Sequence, residues 1–174
     1  MASASAPAHP DTHDAHAHAH AQGHARPVLQ TGHIGLNVSD LRRSRDFYAR
    51  AFGFDVAHES YEPGRAFAFL ADAGGRLVLT LWQQSGGRFD VARPGLHHLS
   101  FQAEGIDAVR GIEQRLREDG VKFLYDGVVP HAEGADSGGI FFEDPDGIRL
   151  EVYAPAGAAG HEAPTQGAPS CGFF

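Results

Sequence analysis

Two histidines and one glutamate stand at polar positions of segments in which every second residue is apolar. The three segments are 33–38, 98–102 and 148–153. Successive side chains of a strand point to opposite faces, so we expect His33, His98 and Glu151 on faces turned away from the core. Two neutral imidazoles and one carboxylate can bind one face of an octahedral divalent ion and leave positions for water, a bidentate substrate or dioxygen. The pattern therefore indicates a metal site supplied by three strands.

The composition limits the classes of protein to which the chain can belong. Its 174 residues, 42% of them hydrophobic, suffice for one domain with a substantial core. A formal net charge of −8 disfavours nucleic acid and anionic membranes as partners, because both attract clustered lysine and arginine. The sequence shows neither a signal-peptide pattern nor a long apolar run, and its single cysteine, Cys171, cannot form an internal disulfide. We therefore expect a cytoplasmic protein.

Both ends of the chain differ in composition from its centre. Residues 1–28 are rich in histidine and alanine and residues 156–174 in alanine, glycine and proline, which predicts two disordered tails around a domain at 29–155. The histidine tract is either a metal reservoir or a solvated leader. The last residues are apolar, so they either dock on a partner subunit or leave Cys171 as an exposed thiol.

Between the tails the chain repeats one order of elements. In the first module, about residues 31–83, a strand precedes a helix predicted from about Leu41 to Phe52 and three further strand-like segments. The second module, about residues 96–155, repeats this order with a helix from about Ile106 to Asp119. Its last three strands are predicted at 121–125, 139–143 and 148–153. We predict an α+β fold in which two βαβββ modules form a cup-shaped mixed sheet, since each helix leaves one sheet face free.

Three motifs in these modules are similar to those of a known family. They are His33–Leu41, Leu96–Phe101 and Phe141–Glu151. In this order and at these spacings, residues 31–155 resemble the vicinal oxygen chelate superfamily. Its members are glyoxalases, fosfomycin-resistance enzymes, bleomycin-resistance proteins and extradiol dioxygenases.

The resemblance implies a site and an assembly. Matched to the family motif, the metal ligands are His33, His98 and Glu151. They would hold one divalent ion, with Fe(II) or Mn(II) favoured and Zn, Ni or Co possible. The resemblance also implies a homodimer for a chain that carries two modules.

Departures from the family pattern narrow the expected reaction. Aligning the turns at Gly75 and Gly147 puts Leu79 where glyoxalase I enzymes carry a fourth ligand, so that activity is disfavoured. Phe141 stands where the extradiol signature has a tyrosine, and His131 is slightly too far upstream for its histidine. The basic residues and potassium loop of the fosfomycin enzymes are not identifiable.

Further residues are candidates for the substrate site. His131, in a loop near the expected mouth of the cup, is either a general base or an exposed histidine. Arg149 and Tyr153 share the face of Glu151 and either orient the substrate or solvate the strand end, while Leu79 and Phe141 are expected to line the site. His97 falls on the apolar side and is expected to be packed.

These patterns predict a metal-dependent enzyme, dioxygenase-like or lyase-like, whose small substrate chelates the metal through vicinal oxygens. The alternative is a non-catalytic protein of the bleomycin-resistance type that sequesters a ligand in the same cup. The complete set of histidine, histidine and glutamate favours the enzyme.

Overall fold

The computed structural model describes residues 28–172, and the chain from Thr31 onward forms one compact unit. The histidine tract and nearly all of the expected N-terminal tail lie outside the described residues. Among the described helices, none has the length and apolar character needed to cross a membrane.

The elements follow the predicted order in both modules. The first module comprises β1 (Ile34–Val38), α1 (Leu41–Phe52), β2 (Asp55–Ser60), β3 (Phe67–Ala71) and β4 (Leu77–Gln83). The second comprises β5 (Leu99–Gln102), α2 (Ile106–Glu118), β6 (Val129–Pro130), β7 (Gly138–Glu143) and β8 (Arg149–Ala154). The α+β class and the two βαβββ modules are therefore confirmed.

Each module forms a four-stranded mixed sheet. The strand order is β1-β4-β3-β2 in the first sheet and β5-β8-β7-β6 in the second. In each sheet the first and last strands of the module pair in parallel and the other neighbours are antiparallel. The first and last strands, which carry the expected ligands, are thus direct neighbours.

Helix α1 begins and ends where local chemistry dictates. The Asp40 side chain accepts a hydrogen bond from the backbone N–H of Arg43, which satisfies a free donor of the first turn. Gly53 ends the helix in the left-handed region, at φ 70°, where a side chain would be strained. The helix buries one face, including Leu41, Phe47 and Tyr48.

The two modules share one hydrophobic core. Phe52 of α1 packs against Phe101 and Phe142 of the second sheet, with ring centroids 4.6 and 6.3 Å apart. Leu36 of β1 and Leu150 of β8 belong to the same buried cluster. Because side chains alternate along a strand, each sheet turns its other face away from this core. We call these the open faces of the two sheets.

A buried polar link reinforces the contact between the modules. The Tyr48 hydroxyl donates to Asp144 Oδ2 at 3.0 Å, and the other oxygen of Asp144 accepts from the backbone of Asp146 and Ile148. Asp146 in turn accepts from the backbone N–H of Ser39 at 2.8 Å. Burial raises the pKa of Asp144 to about 6, although these hydrogen bonds oppose the rise.

Two segments differ from expectation. Residues 121–125 do not form a strand: Phe123 makes an isolated bridge to Phe142, and the short β6 supplies the edge of the sheet instead. The segment from residue 156, expected to be a disordered tail, is described to residue 172 and buries Ala158 and Ser170 completely. Ala158 and Ser170 donate backbone hydrogen bonds to Asp136 and His131 of the second module, contacts that the composition of the segment does not indicate.

Replacing Asp144 with Asn should flatten the pH dependence of stability. The raised pKa makes the folded state bind the proton more tightly than the unfolded state, so the contribution is present below about pH 4 and is lost as pH rises through 6. Between pH 4 and 7 the change in unfolding free energy should be smaller in Asp144→Asn by on the order of 2 kcal/mol.

Urea unfolding at the two pH values measures this difference. Asp107→Asn, which alters an exposed carboxylate in the first turn of α2, is the matched control. An Asp144→Asn protein with the pH dependence of the parent would contradict the assignment.

Candidate functional site

Glu151 lies between two histidines on the open face of the second sheet. Its Oε1 is 2.7 Å from His131 Nε2, and its Oε2 is 3.4 Å from His98 Nε2. The Glu151 side chain is only 5% exposed. Parallel pairing of β5 with β8 sets Ser100 opposite Glu151 and so brings His98, two residues before Ser100, to the same face. The expected pairing of His98 with Glu151 is present, and His131 joins it.

The loop between β6 and β7 holds His131 in place. Its Nδ1 lies 3.0 Å from Ser137 Oγ, and its backbone N–H donates to the Ser137 carbonyl at 2.9 Å. The ring packs at 5.2 Å from that of Tyr153. Because a carboxylate only accepts hydrogen bonds, His131 Nε2 carries the proton that faces Glu151, and the Ser137 hydroxyl can donate to Nδ1.

The electrostatics favour protonation states that can bind a metal. Burial by itself raises the pKa of Glu151, but hydrogen bonds from His131 and Ser100 outweigh it, so the pKa is lowered. Burial lowers the pKa of His98, and the opposing effect of Glu151 does not restore it. Near neutral pH the site therefore contains an ionised carboxylate and a neutral His98 imidazole, the forms in which these residues act as ligands.

His33 adjoins the other sheet rather than the one that carries Glu151. It is exposed, immediately before β1, and makes no hydrogen bond or ion pair among residues 28–172. Over this part of the chain, no three histidine, cysteine or acidic side chains are grouped so that they could hold a metal ion. One chain thus joins His98 to Glu151 but does not bring His33 to them.

The register of the first sheet corrects the position given to Leu79. Leu79 pairs with Ile34 and lies fully buried in the core, so it does not line an open face. Gly35 pairs with Thr80 just as Ser100 pairs with Glu151, which makes Thr80 the counterpart of Glu151. A hydroxyl, not an apolar side chain, occupies the position of the fourth glyoxalase ligand.

A β-bulge explains the one-residue error. Leu70 pairs with Leu79 and Ala71 with Leu77, so Val78 is an extra residue in β4. The pairing of β7 with β8 has no such shift. Counting from the two turns therefore moves every later residue of β4 to the wrong face.

Aromatic side chains cover part of the open face of the first sheet. The rings of Phe67 and Phe69 lie 5.0 Å apart, and both lie within 6 Å of Trp82. The indole N–H of Trp82 donates to Thr80 Oγ at 3.1 Å, which fixes the ring. We call Phe67, Phe69 and Trp82 the aromatic wall. Alternation in Phe67-Ala68-Phe69 was the sequence signal that could have identified it.

The remaining candidates lie on the open face of the second sheet. Phe141 pairs with Glu151 and shares its face, but it is completely buried, edge-on to Tyr125 at 5.5 Å. The Tyr153 hydroxyl donates to Gln102 at 2.8 Å, and Arg149 is near enough to contribute to the lowered pKa of His98. Tyr153 and Arg149 are thus at the site, whereas Phe141 is buried against Tyr125 on the same face.

His97 differs from expectation. It is exposed rather than packed, and its Nδ1 lies 2.8 Å from His98 Nδ1. One of these two nitrogens must donate to the other, which helps to set the orientation of the His98 ring.

An open cavity of about 490 Å³ lies beside the glutamate. Its lining includes Gln102, His131, Glu151, Tyr153, Pro169 and Cys171. This volume is in the usual range for small-molecule sites.

A sequence model of the Glyoxalase/Bleomycin resistance protein/Dioxygenase superfamily matches residues 30–152. The chain belongs to this superfamily. The resemblance to this superfamily that the sequence motifs predicted is confirmed. The superfamily includes dioxygenases, glyoxalases and an organoarsenical-cleaving enzyme.

Individual relatives agree with this membership. A trivalent organoarsenical cleaving enzyme of Bacillus sp. (strain MD1) is 27% identical over 72% of the chain and 73% of its own length. The crystal structure of a glyoxylase/bleomycin resistance protein/dioxygenase domain from Frankia sp. EAN1pec has a TM-score of 0.62 and 29% identity, covering 78% of this chain and 96% of its own. The fosfomycin resistance protein FosX from Listeria monocytogenes, complexed with Mn(II) and sulfate, has a TM-score of 0.54 at 21% identity over 74% and 93% of the two chains. That last likeness concerns the fold, and it shows that a divalent metal occurs within the fold family.

The hydrogen bond from His131 should control the charge state of Glu151. In His131→Ala the pKa of Glu151 should rise, because the strongest opposing interaction is lost while burial remains. Carbon NMR of protein labelled at the glutamate carboxyl groups measures the titration in the metal-free protein. Arg93→Ala, whose side chain is exposed, is the control, and a Glu151 titration unaltered by His131→Ala would refute the assigned cause.

Proposed function

We propose that the protein is a divalent-metal-dependent enzyme, dioxygenase-like or lyase-like, whose small substrate chelates the metal through vicinal oxygens. The observation that carries the proposal is the buried, ionised Glu151 placed against His98 and His131 on an open sheet face. A buried carboxylate costs free energy unless it is paired, and such groups are retained where they bind metal or act in catalysis.

The donor set fits a divalent ion. Imidazole nitrogens and a carboxylate suit Fe(II) and Mn(II) and also accommodate Zn, Ni or Co. Glu151 and His98 are already side by side in the protonation states that ligation requires. His33 would be the third ligand.

The position of His33 supports a homodimer. The two sheets pack on one shared core, and their open faces lie on the sides away from it. Within one chain, His33 is therefore beside the first sheet and Glu151 is on the second. A second copy that lays the open face of its first sheet against the open face of the second sheet would bring its own His33 to Glu151 and His98. Each chain would then account for one ion, held between two subunits.

The side chains around the ion have separable roles. The bound metal would act as a Lewis acid and stabilise negative charge on substrate oxygens. Once the ion engages Glu151, His131 would hold its proton on Nδ1 instead of Nε2, with Ser137 Oγ at 3.0 Å accepting the hydrogen bond. Its free Nε2 would then take the substrate proton as general base. Tyr153 and Arg149 would orient the substrate.

The aromatic wall favours a partly apolar substrate. In the proposed dimer it lies on the same open face as His33, beside Gly35, whose missing side chain leaves room next to Thr80 and Trp82. A flat ring could pack on these rings, as aromatic groups prefer offset or edge contacts. We therefore expect a catechol-like compound or another partly apolar diol.

The aromatic wall also favours a second candidate function. Rings that pack a flat ligand do not need a metal, so a protein that sequesters an aromatic compound is the alternative. The two functions differ in whether binding depends on the ion.

Metal binding should require ligands from two subunits. With residues 1–27 removed to eliminate the histidine tract, Glu151→Gln and His33→Ala should each lower the metal content more than about tenfold. Mixed and reassembled, the two variants should regain about one quarter of the parent sites, because half of the dimers would be heterodimers with one intact site each. Elemental analysis together with light scattering, against twice the 18.6 kDa chain mass, measures both results.

The control is Glu143→Gln, which alters a carboxylate paired with Arg88 and Lys122 away from the site. If mixing the two variants restored no metal binding, all ligands would belong to one chain and the shared site would be wrong. Unchanged metal content in Glu151→Gln would end the ligand assignment.

Ligand binding should depend on the ion and on a vicinal oxygen pair. Calorimetry should show catechol binding to the Mn(II)- or Fe(II)-loaded protein at least about tenfold more tightly than to the metal-free protein, since chelation needs the ion. Once a substrate is found, His131→Ala should lower turnover by roughly 10²-fold with metal retained. Equal binding of catechol with and without metal would favour the sequestering function.

A further inference from the structure

We propose that residues 155–172 form a wall of the substrate site that selects molecules with an oxygen-rich end and an apolar body. We call these residues the C-terminal wall. The inference rests on the proposed function for the identity of the site. It adds a specificity-determining segment that lies beyond residues 30–152, the part matched by the family.

The wall is attached to the site through Ser170. This residue is completely buried, its backbone N–H donates to the His131 carbonyl at 2.8 Å, and its hydroxyl donates to the Pro130 carbonyl at 2.6 Å. The Tyr125 hydroxyl donates to the Ser170 carbonyl at 2.9 Å. Each polar group of Ser170 is thus satisfied, and two of its three hydrogen bonds are to His131 and the preceding Pro130, which couples the wall to the proposed base.

A second attachment fixes the start of the wall. Asp136 accepts from the backbone N–H of Gly157 through Oδ1 at 3.0 Å, and its carbonyl accepts from Ala158 at 2.8 Å. Gly157 adopts a φ of 101° and lies so close to Ile106 that a side chain would collide with it. Both attachments include a residue of the loop 131–137, His131 in the first and Asp136 in the second, so the wall is fixed against that loop.

The cavity between them has two chemically different sides. His131, Glu151 and Gln102 provide charged and polar groups, whereas the C-terminal wall contributes Pro155, Pro169 and Cys171 to the lining. A ligand that chelates at the Glu151 side must place the rest of its body against the prolines and the thiol. An apolar body gains from this contact, and a compact, fully charged molecule does not.

Access to His131 tests the wall without reference to any metal. Diethyl pyrocarbonate modifies histidine side chains, and mass spectrometry gives the rate at each residue. Cys171→Trp should slow modification of His131 at least about fivefold by filling the cavity, while Tyr125→Phe combined with Ser170→Ala should accelerate it. The rate at His58, exposed on β2, should stay constant in all variants.

Two variants control for bulk and for lost hydrogen bonds. Gln166→Trp adds the same bulk at an exposed position of the same segment, outside the cavity. Tyr61→Phe removes a tyrosine hydroxyl that donates a hydrogen bond to Glu59, far from the wall in sequence. Both should leave the His131 rate as in the parent, and thermal unfolding verifies that each variant is folded. If His131 were modified at the same rate in Cys171→Trp and Gln166→Trp, the proposal that the C-terminal wall bounds the cavity would be wrong.

Binding to the Mn(II)-loaded protein tests selectivity. The parent should bind catechol more tightly than glycolate by at least about tenfold, and Cys171→Trp should weaken catechol by a similar factor with Mn(II) content unchanged. Catechol binding unaffected by Cys171→Trp would overturn the wall as a determinant of specificity. If the parent binds neither compound, the chelation proposal fails, and the rate at His131 still decides whether the wall bounds the cavity.

Discussion

The site depends on the parallel pairing of the first strand of each module with its last strand. In the second sheet this pairing sets Ser100 against Glu151, and the register carries His98 to the same face. A shift of one residue would turn Glu151 into the core and replace it with Leu150 or Val152 on the open face. The burial of Leu150 and Val152 therefore fixes the position of the carboxylate as firmly as it fixes the fold.

The shared core limits where the proposed ligands His33 and Glu151 can meet. Phe52 reaches across to Phe101 and Phe142, and the Tyr48–Asp144 hydrogen bond closes the same junction. Both helices bury one face in this core, so neither helix covers the open face of a sheet. The two open faces therefore point away from the core. If the proposed ligands are correct, a chain built in this way would offer two half-sites rather than one complete site.

Alternation in the sequence predicted much of this arrangement. It gave the faces of His98 and Glu151 correctly, because both lie in or beside strands without irregularities, and it gave the order of elements in both modules. Counting from the two turns failed at Leu79, since a bulge at Val78 leaves no mark in a run of Leu77-Val78-Leu79 that is apolar on both sides. Composition failed beyond residue 155, where Ser170 is buried by contacts with Tyr125, Pro130 and His131, residues about 40 positions earlier. Composition indicates whether a segment can form its own hydrophobic core. Residues 156–172 are instead held by contacts with the second module.

Trp82 is the single tryptophan of the chain, and it stands on the open face of the first sheet with its indole tied to Thr80. The residue is 37% exposed, so its emission is sensitive to whatever approaches that face. All of the intrinsic indole fluorescence therefore originates from one position on the face that carries His33. The protein contains its own optical probe, and association of two copies or the arrival of a flat ligand can be followed in real time without a label.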